Sequence, residues 1–392
     1  MTAVARHEFL LICSIGCIMG TLVGAFLSPP TLFISAPLLA VFAFLCTALA
    51  TVGNGRRAAA SLLLCGLIIA WVRAGSFIPT GATAHTPFFD ISAHISRSLR
   101  LGLSVPHSAL IDGILTGHDD DLPYNVKQQF NATGTRHITA VSGMNITILG
   151  AVFVALLVSL GLKRTYASAT TLVAIAWYVL MIGSPASAVR AGIMGSLLVL
   201  KQLLGRPGNT LRLLIYATAA MLLWNPTLLT QDIGFQLSVL ATAGIILLQP
   251  ICAMYLKRIP EFLALRSTIS TTLAAYFFTL PIISHYFGTI SLSAIPANVF
   301  IAPAVTWVFV LGAGGVALVI VFPSIAYIAL SPAHAVSTYI TTIVSLLSYA
   351  PHASLTWQVP SLWWSVPYYA LILLFVLKHS RTEGYFRVES ES

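Results

Sequence analysis

The chain has 392 residues, of which 57% are hydrophobic and only 8% are charged. That balance excludes one or two soluble domains and is typical of a polytopic membrane protein. The formal net charge of +9 does not by itself indicate nucleic acid, because helical membrane proteins carry Lys and Arg in their cytoplasmic loops.

Apolar segments recur along the chain and predict an all-α bundle of about 10–12 transmembrane helices, since each span needs roughly 20 apolar residues. Two long segments, 294–321 and 325–349, contain Pro296, Pro303 and Pro332, which predict broken or re-entrant segments. The predicted spans are 9–27, 31–52, 58–78, 137–160, 167–183, 186–204, 211–224, 233–256, 268–287, 294–321, 325–349 and 361–378.

The first part of the chain, residues 1–78, is predicted to hold the N-terminal transmembrane helices. The first span is long and lacks a small-x-small cleavage site, so it is predicted to be a helix rather than a signal peptide. The cysteines all lie in apolar spans, where Cys behaves as a small hydrophobe, and they predict neither a disulfide nor a zinc site. They are Cys13, Cys17, Cys46, Cys65 and Cys252.

Residues 79–136 are predicted to form an outer linker that carries two short amphipathic helices, at 91–103 and around 108–115. In the first of these, basic residues lie between apolar positions spaced four apart, which predicts a helix on the membrane surface rather than a strand. The apolar positions are Ile91, Ile95, Leu99 and Leu103, and the basic ones are Arg97 and Arg100.

The distribution of the 20 Lys and Arg residues indicates how the chain is oriented. With the N-terminus inside, most of them fall in inner loops and tails, as the positive-inside bias requires. This predicts a membrane protein with both termini in the cytoplasm, ending in a basic tail at 379–392. The basic residues assigned to the outer side or to the membrane are Arg73, Arg97, Arg100, Lys127, Arg136 and Arg190.

A polar, glycine-containing stretch at 134–145 stands at the start of the predicted span 137–160. Polar groups in a membrane need internal partners or a wet cavity, so this stretch is a candidate functional site. Ser142 and Asn145 lie about one helical turn apart, and Gly143 allows a close backbone approach or a break. The alternative is that they only hydrogen-bond between helices; His137 is either an interfacial histidine or a pH gate.

Arg190 is a lone arginine in an apolar span and is predicted to line a pore; pairing with Asp232 and snorkelling to the outer headgroups are the alternatives. Three further polar residues are candidates for the same path or for hydrogen bonds within the bundle. They are Gln236, Ser238 and Asn298.

Two kinds of motif are missing from the sequence. There is no Gly-x-x-x-x-Gly-Lys-Ser/Thr loop, so a partner or an ion gradient is expected to drive any transport. There is no His-Glu-x-x-His motif, and residues 118–121 predict an acidic turn rather than a metal site. No enzymatic activity, metal or cofactor is therefore predicted.

Several motifs together resemble the ComEC competence-protein family. The first lies at 109–117 and continues through 122–123, 130, 133–135 and 137–145. The others follow in the family's order at 184–194, at 225–226 with 234–245, and at 287–291 with 298. The resemblance covers residues 105–305 and identifies 137–378 as a competence-type transmembrane channel domain.

The resemblance implies a channel that passes single-stranded DNA through the inner membrane during natural transformation. It also implies a DNA receptor and an ATP-driven helicase as partners, and it leaves a homo-oligomer open. Larger family members carry an OB-like domain and a metallo-β-lactamase-like domain, and neither is expected within this sequence, so the nuclease role is not carried over. The alternative from another class is a secondary transporter of a small anionic or lipid-linked solute.

Overall fold

The computed structural model describes residues 14–16, 18, 89–139, 141–184, 186–203, 210–261, 264–351, 353–358 and 364–383. The predicted spans 31–52 and 58–78, most of 9–27, Arg73 and most of the tail lie outside the described residues. The chain divides into two units. One comprises Met1–Ala84 with Leu200–Val239, and the other comprises His85–Val199 with Leu240–Ser392.

The described part of the predicted linker, from residue 89 to 136, contains short helices. α1 (Phe89–Gly102) and α2 (His107–Thr116) confirm the two predicted helices, and α3 (Tyr124–Ala132) adds a third that the sequence pattern did not predict. A single 3-10 turn, Arg136–Thr139, follows.

From residue 164 on, the predicted apolar spans are helices whose described ends lie within about five residues of the predicted ones. A short two-stranded antiparallel sheet joins β1 (Thr289–Ser291) to β2 (Ser354–Thr356). The helices are α4 (Gly143–Ser159), α5 (Arg164–Met181), α6 (Ala186–Leu203), α7 (Thr210–Trp224), α8 (Leu228–Gln231), α9 (Ile233–Tyr255), α10 (Leu265–Phe287), α11 (Ala294–Val321), α12 (Ala326–Ser348) and α13 (Ser365–Glu383).

Within the described ranges, four helical stretches are long and apolar enough to cross a membrane: α9, α10, α11 and the stretch Pro323–Ser348 that contains α12. Shorter apolar helices are α4, α7 and the first part of α13. Each of the four offers at least the roughly 20 residues that a bilayer requires. The all-α polytopic membrane class is therefore confirmed.

The predicted breaks at prolines are not observed. α11 continues through Pro303 and α12 through Pro332, and Pro296 lies in the first turn of α11, where a missing N–H costs nothing. Neighbouring helices compensate for an interior proline in a membrane bundle. The two long spans are therefore continuous helices.

The second unit is built on the close pairing of α11 with α12, and α1 packs on the same core. A Cβ atom added at Gly315 would lie 2.8 Å from the Ala329 oxygen, and one at Gly102 would lie 2.6 Å from the Ala326 oxygen. Leu99 and Leu103 are buried in this core. The apolar face of α1 therefore contacts protein, which corrects the expectation that it lies on lipid.

Candidate functional site

In the stretch 134–145, the membrane helix begins only with the last three residues, and the described residues before them do not continue it. Gly134 has φ +65°, and a Cβ atom added there would lie 2.9 Å from the Ala294 Cβ. After the 3-10 turn the chain becomes extended at Ser142, and α4 begins only at Gly143. The predicted span 137–160 is therefore corrected to Gly143–Ser159.

Side chains of this stretch and of α5 bind the C-terminal end of α2. Asn145, which is 1% exposed, donates from Nδ2 to the Ile114 oxygen at 2.9 Å, and the Tyr178 hydroxyl donates to the Leu115 oxygen at 2.7 Å. These carbonyls belong to the last turn of α2, where a helix leaves carbonyl groups unpaired. Ser142 donates to Asn145 Oδ1 at 3.3 Å.

The backbone of the 3-10 turn lies directly against α2. A Cβ atom added at Gly113 would lie 2.4 Å from the Thr139 oxygen, a separation that no real side chain tolerates. On its other side, the Ser187 hydroxyl of α6 donates to the Val141 oxygen at 2.9 Å. The stretch is therefore held between α2 and α6.

Arg190 belongs to α6 and is buried beside the start of α4. It is 6% exposed, and its Nη1 donates to the Thr242 hydroxyl of α9 at 2.6 Å. Its Nη2 lies 3.6 Å from the position that a Cβ of Gly143 would take. The structure thus brings together two predicted residues, Arg190 and Gly143, at the end of α4 that the helix dipole makes positive.

Of the two alternatives predicted for Gly143, the structure does not show a close backbone approach. A Cβ atom there would lie 3.4 Å from the Ala191 Cβ, which is an ordinary van der Waals distance, so the position has room for a methyl group. Gly143 is instead the first residue of α4, directly after the extended Ser142.

Asp232 and Gln236 each form a hydrogen bond with a backbone group near the start of α9. Asp232 Oδ1 accepts the backbone N–H of Phe235 at 2.8 Å, which caps the helix. Gln236 Nε2 donates to the Leu229 oxygen at 2.8 Å. The third candidate of this segment, Ser238, is half-buried.

Asn298 is half-buried and donates from Nδ2 to the Ala294 oxygen of its own helix at 2.9 Å. His137 is exposed in the 3-10 turn. Partial desolvation by the surrounding protein lowers its pKa, while a hydrogen bond with the Gly134 backbone acts in the opposite direction. The histidine is therefore favoured in its neutral form.

The loop between α2 and α3 is held by charged groups. Asp119 pairs with Arg136 and Asp121 pairs with Arg100, while the Lys127 ammonium donates to the Asp120 backbone oxygen at 3.2 Å. The Thr139 hydroxyl also donates to Asp119, at 2.9 Å. Two arginines assigned to the outer side therefore already hold carboxylate partners.

A buried carboxylate in α2, Asp112, was not singled out by sequence reasoning. The Thr116 hydroxyl donates to its Oδ1 at 2.6 Å and lies 2.9 Å from His118 Nδ1. Burial raises the pKa of Asp112, and a hydrogen bond from Ser96 partly offsets this effect. The sequence signal for this contact was the i, i+4 spacing of Asp112 and Thr116, which places the two side chains next to each other on a helix.

Across the described ranges, no group of three His, Cys, Asp or Glu side chains is placed to hold a metal ion. In the 118–121 turn, the carboxylates of Asp119 and Asp121 point to arginines instead.

Comparison with known proteins gives two matches. The family described as Competence protein matches residues 114–382. ComE operon protein 3 of Bacillus subtilis (strain 168) is 25% identical over 224 residues, which are 57% of this chain and 28% of that protein. The chain thus matches less than a third of the length of this relative. No solved structure matches it.

Proposed function

Since the chain belongs to the competence protein (ComEC) family, we propose that it acts in DNA uptake and passes a single DNA strand across the inner membrane into the cytoplasm. The proposal places both termini in the cytoplasm, with a DNA receptor and an ATP-driven helicase as partners. It assigns to this chain the passage of the DNA strand and no chemical reaction on that strand.

The observation that carries this proposal is the buried guanidinium of Arg190, which extends from α6 to the start of α4. A bilayer core is about 30 Å thick and a strand carries one phosphate every ~3.4 Å, so roughly five to nine negative charges cross at once. Such a path needs positive potential inside the membrane. Arg190 and the N-terminal end of α4 supply it at one point.

The same geometry defines the resting state in this proposal. Arg190 is buried, and its bond to Thr242 keeps the guanidinium in position, so the strand reaches it only after α4 moves away from it. Asn145 holds α4 to α2 and keeps that side of the path in place. His137 is exposed and lies next along the chain toward the outer linker.

The test is deletion of the gene followed by complementation, with fluorescent DNA outside the inner membrane and transformants scored separately. We expect the deletion strain to accumulate DNA outside the inner membrane and to yield no transformants. Arg190→Gln should fail to restore them, while Arg266→Gln, which removes an arginine from the partly exposed pair with Glu261, should restore them. Unchanged transformation in the deletion strain would instead favour transport of a small anionic or lipid-linked solute.

A further inference from the structure

Two aspartates of the loop between α2 and α3 occupy two arginines that come from different elements. Arg100 lies in the last turn of α1 and Arg136 begins the 3-10 turn. Asp121 pairs with the first and Asp119 with the second. Asp120 lies between them, and only its backbone oxygen, bound by Lys127, takes part in a described contact.

The two carboxylates come from one short loop and are held by guanidinium groups of two different elements. Neighbouring phosphates of a single strand likewise offer two negative charges on one backbone. Guanidinium groups bind carboxylate and phosphate through the same planar fork, so the loop presents to Arg100 and Arg136 what a single strand would present.

The two ion pairs differ in their exposure to water. The side chains of Arg100 and Asp121 are 61% and 54% exposed, and those of Arg136 and Asp119 are 37% and 18% exposed. Pairs in contact with water contribute little net stability, so replacing the Asp121 carboxylate by a phosphate costs little, whereas Asp119 is also held by the Thr139 hydroxyl. α1 itself is held by apolar packing through Leu99 and by the close contact at Gly102.

We propose that Arg100 and Arg136 form a binding site for two neighbouring backbone phosphates of single-stranded nucleic acid, and that Asp119 and Asp121 occupy this site until the strand displaces them. This inference rests on the proposed function and adds an entry site to it. Arg136 belongs to the turn that leads to Ser142 and Gly143. Displacement of Asp119 therefore also removes the contact that Thr139 makes with it.

The test measures binding of a fluorescent single-stranded oligonucleotide to the full chain in nanodiscs of zwitterionic lipid. We expect Asp119→Asn and Asp121→Asn each to tighten binding roughly 1.4- to 5-fold, the range of one water-exposed ion pair. Asp120→Asn removes the same charge from the same loop without releasing an arginine, so its Kd should stay near the wild-type value. Arg100→Gln and Arg136→Gln should weaken binding and each lower the salt slope by ~0.7.

The outcomes separate the two proposals. If the wild-type chain binds but Asp119→Asn and Asp121→Asn behave like Asp120→Asn, only the entry site is wrong. If no form of the chain binds the oligonucleotide, the proposed function is wrong with it. Asp121 is exposed, so its variant answers the question even if Asp119→Asn fails to fold.

A phosphate could also come from a lipid headgroup, and nanodiscs with an added anionic phospholipid distinguish the two sources. A difference between Asp121→Asn and Asp120→Asn that persists there supports nucleic acid as the ligand. Loss of that difference on adding the lipid would identify a headgroup as the occupant and overturn the inference.

Discussion

The side-chain amide of Asn145 donates to the carbonyl oxygen of Ile114 at 2.9 Å, across 31 residues of sequence. This bond joins the first turn of α4 to the last turn of α2, and the amide is 1% exposed. A buried polar group left without its partner costs about 1–3 kcal/mol. The contact therefore fixes the start of α4 against α2.

Replacing Asn145 tests that contact directly. We expect Asn145→Ala to lower the free energy of unfolding in detergent by about 1–3 kcal/mol, because the Ile114 oxygen loses its donor. The matched control is Thr147→Val, which removes an exposed hydroxyl bonded only within its own helix, to the Gly143 oxygen. It should cost less than about 0.5 kcal/mol, and equal losses in the two variants would contradict the assignment.

Thr242 is expected to position Arg190 for transport. A hydrogen bond to a charged group is worth about 1.5–3 kcal/mol, so Thr242→Val, which keeps the shape but removes the hydroxyl, should lower transformation roughly 10- to 100-fold. Thr242→Ser keeps the hydroxyl and should restore most of the activity. The measurement counts transformants at matched protein levels; a serine variant as poor as the valine variant would show that the methyl group matters instead.

The close packing at Gly113 leads to a third prediction. Its added Cβ would meet the Thr139 oxygen at 2.4 Å, whereas a Cβ at Gly195 would meet nothing within 4 Å. Gly113→Ala should therefore lower the free energy of unfolding by about 1–3 kcal/mol. Gly195→Ala, in a helix interior, should raise it by up to about 1 kcal/mol, and thermal melts of the two variants should shift in opposite directions.

Asp112 contributes more to the stability of the folded state in acid than at neutral pH. Its pKa is raised by burial above the ordinary value of 3.8, so the folded state holds the proton more tightly than the unfolded state. The stabilisation is complete below pH 3.8 and is lost as the pH rises through the folded-state pKa.

Asp112→Asn removes the cost of charging this site while keeping an acceptor for Thr116. We expect its Tm to exceed that of the wild type at pH 7, with the gap closing as the pH falls toward 4. Asp120→Asn, on an exposed residue of the next loop, should show no such gap. A constant gap for Asp112→Asn between pH 4 and 7 would mean that titration of Asp112 is not the cause.

The apolar pattern predicts helix positions well because bilayer thickness sets the length of each span. It places a span at 268–287, and α10 is Leu265–Phe287. The pattern fails where short polar helices are fixed by tertiary contacts. α3 and β1 are joined by the Ser291 hydroxyl, which donates to the Ala132 oxygen at 2.7 Å, a contact that local sequence does not encode.

Periodicity shows which residues share a helix face but not what that face meets. The apolar side of α1 suits lipid and protein equally well, and it packs on protein. For the same reason, the sequence indicates that Arg190 needs a polar environment but does not identify Thr242 as its partner. Asp232 was the alternative partner predicted for Arg190. Its side chain caps the start of α9 by accepting the backbone N–H of Phe235.

The bond between Ser291 and Ala132 also affects how the protein is made. Its partners lie 159 residues apart, and at roughly 5–20 residues per second the ribosome needs on the order of 10–30 s to reach Ser291 after completing α3. During that interval the stretch after Ala132 has already left the ribosome without one of its anchors. This polar break therefore takes its final shape among the late steps of biogenesis, after the first helices have entered the bilayer.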